Sequence, residues 1–224
     1  MKRYRTVIFD WDGTLLDSTH AIASSMQEAC RDLDLPVPSD VQARWVIGLP
    51  LDSILRQAVP DLAAGQLTQF KERYRVHFHR HDTQLQLFDG ISRLLLTLRQ
   101  QKVQVGIATG KSRVGLDHVL DTRQWRHYFD VTRCGDESFG KPHPGMLLDI
   151  MKVLDVAPQQ LLMVGDTSHD VMMAHNAGVD SLAVSYGAHD KSVLAQAGPT
   201  FMVDTVDAMA QWLLDRVRGR AREE

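Results

Sequence analysis

Val7-Ile8-Phe9-Asp10-Trp11-Asp12-Gly13-Thr14-Leu15-Leu16-Asp17-Ser18, VIFDWDGTLLDS, is the stretch on which the fold turns. A short β-rich apolar run, Arg5 to Phe9, stops abruptly at two acids and a glycine. Short apolar runs bounded by turn signals are the pattern of strands buried on both faces. Three later runs share the design: Val103 to Ala108, Leu161 to Val164 and Ser181 to Val184. Helical periods lie between them, with Ile91, Leu94, Leu95 and Leu98, then Leu147, Ile150, Met151 and Leu154, at i, i+3, i+4, i+7. Val206, Met209, Ala210 and Leu213 repeat the stripe near the end. Parallel neighbours need a crossover and helices usually supply it, so the alternation predicts an α/β fold. Its core is a Rossmann-like parallel sheet flanked by helices. Ligands in such sheets sit beyond the carboxyl ends of the strands, where Asp10 and Asp12 stand.

The alternation breaks between about Leu16 and Leu87. Ile22, Met26, Cys30 and Leu33 form one helical stripe and Leu67, Phe70, Tyr74 and Phe78 another, with no convincing strand between. A βαβ unit needs only about 30 residues. The excess predicts an inserted α-helical cap domain over residues 16–87, with 1–15 and 88–224 forming the α/β core. Ser18 is the expected cap of the first inserted helix, and hinges are expected near Leu16 and Asp89-Gly90.

The bulk properties agree with a soluble enzyme-sized fold. The 224 residues are 44% hydrophobic and 24% charged, with a net charge of −3. That balance gives no general reason to bind nucleic acid or an anionic membrane and favours a small soluble ligand. Cys30 and Cys134 form no framework, consistent with a reducing cytoplasm. No run has the length and apolarity of a membrane span, and Asp10 interrupts the first apolar stretch too early for an export signal.

Four segments offer chemistry. Asp10 and Asp12 would share a side if the strand continued through them, with Trp11 facing away. Thr109-Gly110-Lys111-Ser112 offers a hydroxyl, backbone N–H groups and a helix start, suited to a phosphoryl oxygen. Val105 stands where a P-loop requires glycine, which excludes that motif, and Ser112 also reads as an N-cap. Gly140-Lys141-Pro142-His143-Pro144 presents a compact cation between turn formers. Gly165-Asp166-Thr167-Ser168-His169-Asp170 ends another strand in acids, where Ser168 reads as an N-cap and Asp170 suits the helix dipole. His143, His169 and His175 read as ordinary structural residues. Gathering Asp10, Asp12, Asp166 and Asp170 on one rim requires a cation, because two charges 4 Å apart repel by about 4 kcal/mol at an effective dielectric of 20. All-oxygen ligands suit Mg²⁺.

These segments, DWDGT, ATGKS, GKPHP and GDTSHD in that order, resemble the haloacid dehalogenase superfamily, in its helically capped, phosphoglycolate phosphatase-like branch. The resemblance implies that Asp10 is the nucleophile and Asp12 the acid and base. It implies that Thr109, Gly110 and Lys141 hold the phosphoryl oxygens. Mg²⁺ would be held by the Asp10 carboxylate, the Asp12 backbone carbonyl and Asp166, with Asp170 supporting through water. The expected activity is Mg²⁺-dependent hydrolysis of small phosphate monoesters through an aspartyl phosphate, 2-phosphoglycolate among them, by a monomer or homodimer acting on a phosphorylated metabolite.

Asp12 disfavours dehalogenation, which has no alkoxide to protonate, and Lys71 is the only lysine available for a cap Schiff base. A sugar-phosphate mutase of the same superfamily stays open, although Gly48-Leu49-Pro50-Leu51-Asp52 is apolar where its cap arginine would stand. A non-catalytic aspartyl-phosphate signalling or partner-binding protein also stays open. Arg44, Arg56, Arg75, His79, Arg80 and His81 are candidates for contacting the leaving group, each also readable as part of a solvated helix face.

Overall fold

The computed structural model describes residues 3–50, 58–59, 62, 64–82 and 84–218. Arg56, Leu51 and Asp52 lie outside them. Six parallel strands form one sheet: β1 (Thr6–Phe9), β2 (Gln104–Ala108), β3 (Val131–Arg133), β4 (Leu161–Gly165), β5 (Asp180–Val184) and β6 (Phe201–Val203), in the order β3-β2-β1-β4-β5-β6. β1 is central, with Phe9 level with Ile107 on one side and Val164 on the other. The order reverses at β1, since the chain runs to β2 and β3 on one side before returning to β4 on the other. The crevice above that switch point is where such sheets hold ligands.

Alternation along the strands sorts side chains into two layers. Val7, Phe9, Val105, Ile107, Leu162, Val164, Leu182 and Val184 face one core, together with Leu94, Leu95 and Leu98 of helix Ile91–Gln100 and Met209 and Leu213 of Val206–Leu214. Ile8, Ala108, Leu161 and Met163 face the other, against Met146, Leu147, Ile150 and Leu154 of Gly145–Leu154. Full burial of each such aliphatic side chain contributes roughly 1.5–3 kcal/mol.

Between β1 and β2 lie α1 (Thr19–Asp32), α2 (Asp40–Trp45) and α3 (Leu67–Asp82). Met26, Cys30, Ala43, Val46, Leu49 and Phe70 bury against one another in a separate cluster, while Ile22 and Phe78 at the ends of the stripes pack against Ala188 of the core. Glu28 and Asp32 of α1 grip His77 of α3, each at 2.8 Å. The two passages between sheet and insertion run antiparallel side by side: Asp17 N–H donates to Gln86 and Phe88 N–H to Leu15, both at 3.0 Å. Both cysteines are buried and free. Among the described residues no helix is long and apolar enough to cross a membrane.

Candidate active site

β1 ends at Phe9, one residue before the acids. Trp11 turns into the core against Trp125 and Phe129, with ring centroids 6.1 Å away in each case. The Asp10 and Asp12 side chains take different partners. Asp10 pairs through Oδ1 with the Lys141 ammonium at 2.7 Å. Asp12 accepts from the Ser18 hydroxyl at 2.8 Å and faces the Lys111 ammonium at 3.5 Å. Two acids two positions apart therefore answer to two different lysines.

Lys141 is wholly buried and also pairs with Asp170 Oδ1 at 2.6 Å. Burial alone would lower its pKa, but Asp10 and Asp170 outweigh that and hold it above the ordinary lysine range. Burial drives the Asp10 carboxyl well above the usual carboxylate range. Lys141 opposes the rise, and Asp170 and Asp166 add to it. Asp10 Oδ2 is buried and has no hydrogen-bond partner among the described residues.

Asp166, at the end of β4, accepts from the Thr14 hydroxyl at 2.6 Å and the Ala188 N–H at 2.7 Å. Burial, then Asp170, push its pKa up to about 7, against those two bonds and Lys141. Gly13 is held at φ +87°, a left-handed conformation that favours glycine, and a Cβ there would overlap the Asp166 carboxylate. Asp170 divides its oxygens. Oδ2 accepts from the Thr167 N–H and hydroxyl at 3.1 and 2.6 Å, closing a capping box, while Oδ1 meets Lys141. The cap is therefore Thr167, one residue before the expected Ser168.

Oxygens of Asp10, Asp166 and Asp170 lie within 4.8 Å of one another. Three buried carboxylates against one lysine leave an excess of negative charge, and Asp10 Oδ2 supplies an unused donor. The set fits a hard divalent cation, which favours oxygen ligands. The Asp12 side chain is not part of this cluster.

Thr109 is buried just beyond β2, its hydroxyl accepting from the Lys111 N–H at 3.2 Å, and Ser112 caps the next helix as expected. Ser18 occupies the first position before α1 but makes no capping bond, its hydroxyl going to Asp12 instead. The reason is geometric: α1 starts beside the acid loop, and a buried carboxylate is the stronger acceptor. The Gly48–Pro50 loop of the insertion lies directly over the site. A Cβ on Gly48 would stand 3.7 Å from Asp10 Oδ2, one on Gly110 would overlap the Gly48 carbonyl, and one on Gly140 would overlap the Pro50 ring.

His169 keeps a structural role, tying its helix to the insertion. His169 Nε2 and His189 Nε2 each approach the Trp45 carbonyl at 2.9 Å. A carbonyl only accepts, so both nitrogens donate, and His189 Nδ1 in turn accepts from the Ser168 N–H at 3.0 Å. The Trp45 ring stacks on His189 at 4.7 Å. Burial lowers the pKa of both histidines. His143 keeps the structural role expected, accepting from the Gly145 N–H. Of the leaving-group candidates, Arg75, His79 and Arg80 are exposed. Phe78 of α3 instead faces Lys111, its ring 4.8 Å from the ammonium, with Tyr74 stacked on it at 5.9 Å.

A parallel sheet with acids at its switch point, roofed by an inserted helical unit, defines a class of phosphoryl-transfer hydrolase. The model of the haloacid dehalogenase-like hydrolase family matches residues 7–184, and the chain belongs to that family. It is 34% identical over 205 residues to the probable phosphatase IndB of Dickeya dadantii, covering 89% of each chain. It is 29% identical over 226 residues to the phosphoglycolate phosphatase of Vibrio cholerae, covering 96% of this chain and 99% of that one. The crystal structure of a predicted phosphatase from Clostridium acetobutylicum superposes with a TM-score of 0.83 at 25% identity, over 95% of this chain and 99% of the other. Fold, acids and relatives make the protein a phosphatase of phosphoglycolate phosphatase-like build.

Proposed function

We propose that the protein hydrolyses small phosphate monoesters through an aspartyl phosphate on Asp10, with Mg²⁺ as cofactor and 2-phosphoglycolate, the substrate named for the Vibrio relative, as the first candidate. One observation carries the reading. Asp10 is buried with one oxygen held by Lys141 and the other uncommitted, while Asp12 stands beside it with partners of its own.

In the first step an Asp10 oxygen attacks phosphorus, the bond to the leaving oxygen breaks, and Asp12 delivers a proton to that oxygen. In the second, Asp12 takes a proton from water, whose oxygen attacks phosphorus. The bond to Asp10 then breaks and inorganic phosphate leaves. Thr109, the Gly110 N–H and Lys141 hold the phosphoryl oxygens, with Lys141 also offsetting the charge of Asp10. The cation would be held by Asp10, Asp166 and the Asp12 carbonyl, with Asp170 behind them. When bound it supplies charge neutralisation between the carboxylate and the anionic ester. The insertion, residues 16–87, acts as a cap that excludes water, its Gly48–Pro50 loop supporting that role.

The test is phosphate release from a panel of small monoesters, with and without Mg²⁺, by wild type, Asp10→Asn and Asp12→Asn. Metal-dependent release that vanishes in Asp10→Asn is the expected result. Undiminished turnover by that variant would refute the covalent route, and normal turnover by Asp12→Asn would refute the acid–base role.

A further inference from the structure

Lys111 is a cation that the phosphoryl chemistry does not use. Its ammonium stands 3.5 Å from both Asp12 oxygens, beyond the 2.7–3.2 Å of a well-formed hydrogen bond. It is held near the acid without being committed to it. Lys141 is the contrast, with two carboxylates at 2.7 and 2.6 Å and no exposed side-chain surface. The Lys111 side chain keeps 16% of its surface accessible and that of Asp12 10%, so neither is sealed as Lys141 is. The insertion covers the Lys111 ammonium with Phe78, whose ring lies over it at 4.8 Å and stacks on Tyr74 at 5.9 Å.

These facts place a loosely held positive charge at the Asp12 end of the site, under an aromatic lid. If Asp12 serves the leaving oxygen, as in the function proposed above, that end receives the leaving group. Among the described residues the ammonium has the Phe78 face and one acid at 3.5 Å, and a partly desolvated charge is better served by a closer anionic partner. A neutral alcohol would not supply one. A leaving group with its own anion would provide a short, charge-assisted bond.

We propose that Lys111 is the specificity-determining cation for the leaving group, so that the preferred substrates carry a second anionic group, carboxylate or phosphoryl, close to the ester oxygen. Phe78 and Tyr74 strengthen the preference by excluding water around the pair.

The experiment compares kcat/KM for 2-phosphoglycolate, pyrophosphate and 2-hydroxyethyl phosphate, whose end is neutral, in wild type, Lys111→Met and Lys111→Arg with Mg²⁺ present. Wild type should favour an anionic compound over the neutral ester. In Lys111→Met that ratio should shrink roughly ten- to a hundredfold, the effect of losing a hydrogen bond to a charged group. Lys111→Arg should restore most of it. The larger ratio between 2-phosphoglycolate and pyrophosphate identifies carboxylate or phosphoryl as the anion read. A variant that loses activity on all three compounds alike, or a wild type that favours the neutral ester, overturns the assignment and leaves the phosphatase reading standing. Absence of metal-dependent release from every compound by wild type overturns both.

Discussion

Replacing Asp166 by asparagine should stabilise the metal-free protein, and only above a definite pH. Asp166 is fully buried and its carboxyl titrates near 7 in the fold, against 3.8 for the free group. A carboxyl whose folded pKa is raised contributes stability that is intact below its unfolded pKa and is lost as the pH rises through the folded one. For Asp166 that window runs from about 4 to about 7. Each unit is worth about 1.36 kcal/mol, so the ionised form costs on the order of 4 kcal/mol at pH 8. Asparagine removes that cost while keeping the bonds, since its oxygen can accept from the Ala188 N–H and its amide can donate to the Thr14 hydroxyl. For a chain of this size the expected gain is roughly 10 °C in Tm at pH 8. Thermal unfolding followed by circular dichroism in EDTA, from pH 4 to 8, measures it. The difference between variant and wild type should be near zero at pH 4 and grow up to pH 7. Mg²⁺ should then raise wild type more than the variant if Asp166 serves as the ligand proposed above. A pH-independent difference, or a wild type more stable than Asp166→Asn at pH 8 in EDTA, would refute the reasoning.

Gly140→Ala should leave the sheet intact but hold Pro50 off the site, so kcat/KM should fall at least tenfold with little change in Tm; a loss of Tm without a loss of turnover would contradict the seam described here. Ser18→Ala should cost turnover, roughly tenfold, and less helix stability than the usual ~1 kcal/mol of a lost cap, because the Ser18 hydroxyl serves Asp12. Thr167→Ala should do the reverse in stability, costing about 1–2 kcal/mol through the lost capping box and visible as a lower denaturant midpoint. His189→Phe keeps a ring beneath Trp45 but removes a donor from its carbonyl and an acceptor from Ser168. Protease cleavage within the insertion should accelerate severalfold while the sheet's unfolding midpoint moves little.

The sheet was readable because its four inner strands are runs of four or five mostly buried residues, each leading to a turn. Val131–Arg133 and Phe201–Val203 escaped, for three residues at a sheet edge are too few to show a period. Asp10, Lys141, Asp166 and Asp170 could be named because each follows a strand or sits in a turn of recognisable design, and the fold brings them together. The separate partners of the two side chains, Lys141 for Asp10 and Ser18 and Lys111 for Asp12, could not be read from local pattern. His169 and Trp45 are 124 residues apart in sequence, and Lys111 and Asp12 are 99 apart. No local pattern signals such pairs. Ser18 was legible as a helix start but not as a partner of Asp12, because a serine in that position serves either purpose equally well.

The central position of β1 has a consequence for synthesis. The strand that leads to Asp10 is made before both of its neighbours, β2, about 100 residues later, and β4, about 150 residues later. At ~5–20 residues per second the second flank of β1 appears roughly 8–30 s after β1 itself. Through that interval Val7, Ile8 and Phe9, fully covered in the finished sheet, have an open backbone edge. The helices α1 to α3, with a core of their own, emerge directly behind the strand and can form during the wait. Asp10, Asp166 and Lys141 meet only when β4 docks beside β1, so the Asp10 carboxylate becomes surrounded late, when the sheet closes over its own first strand.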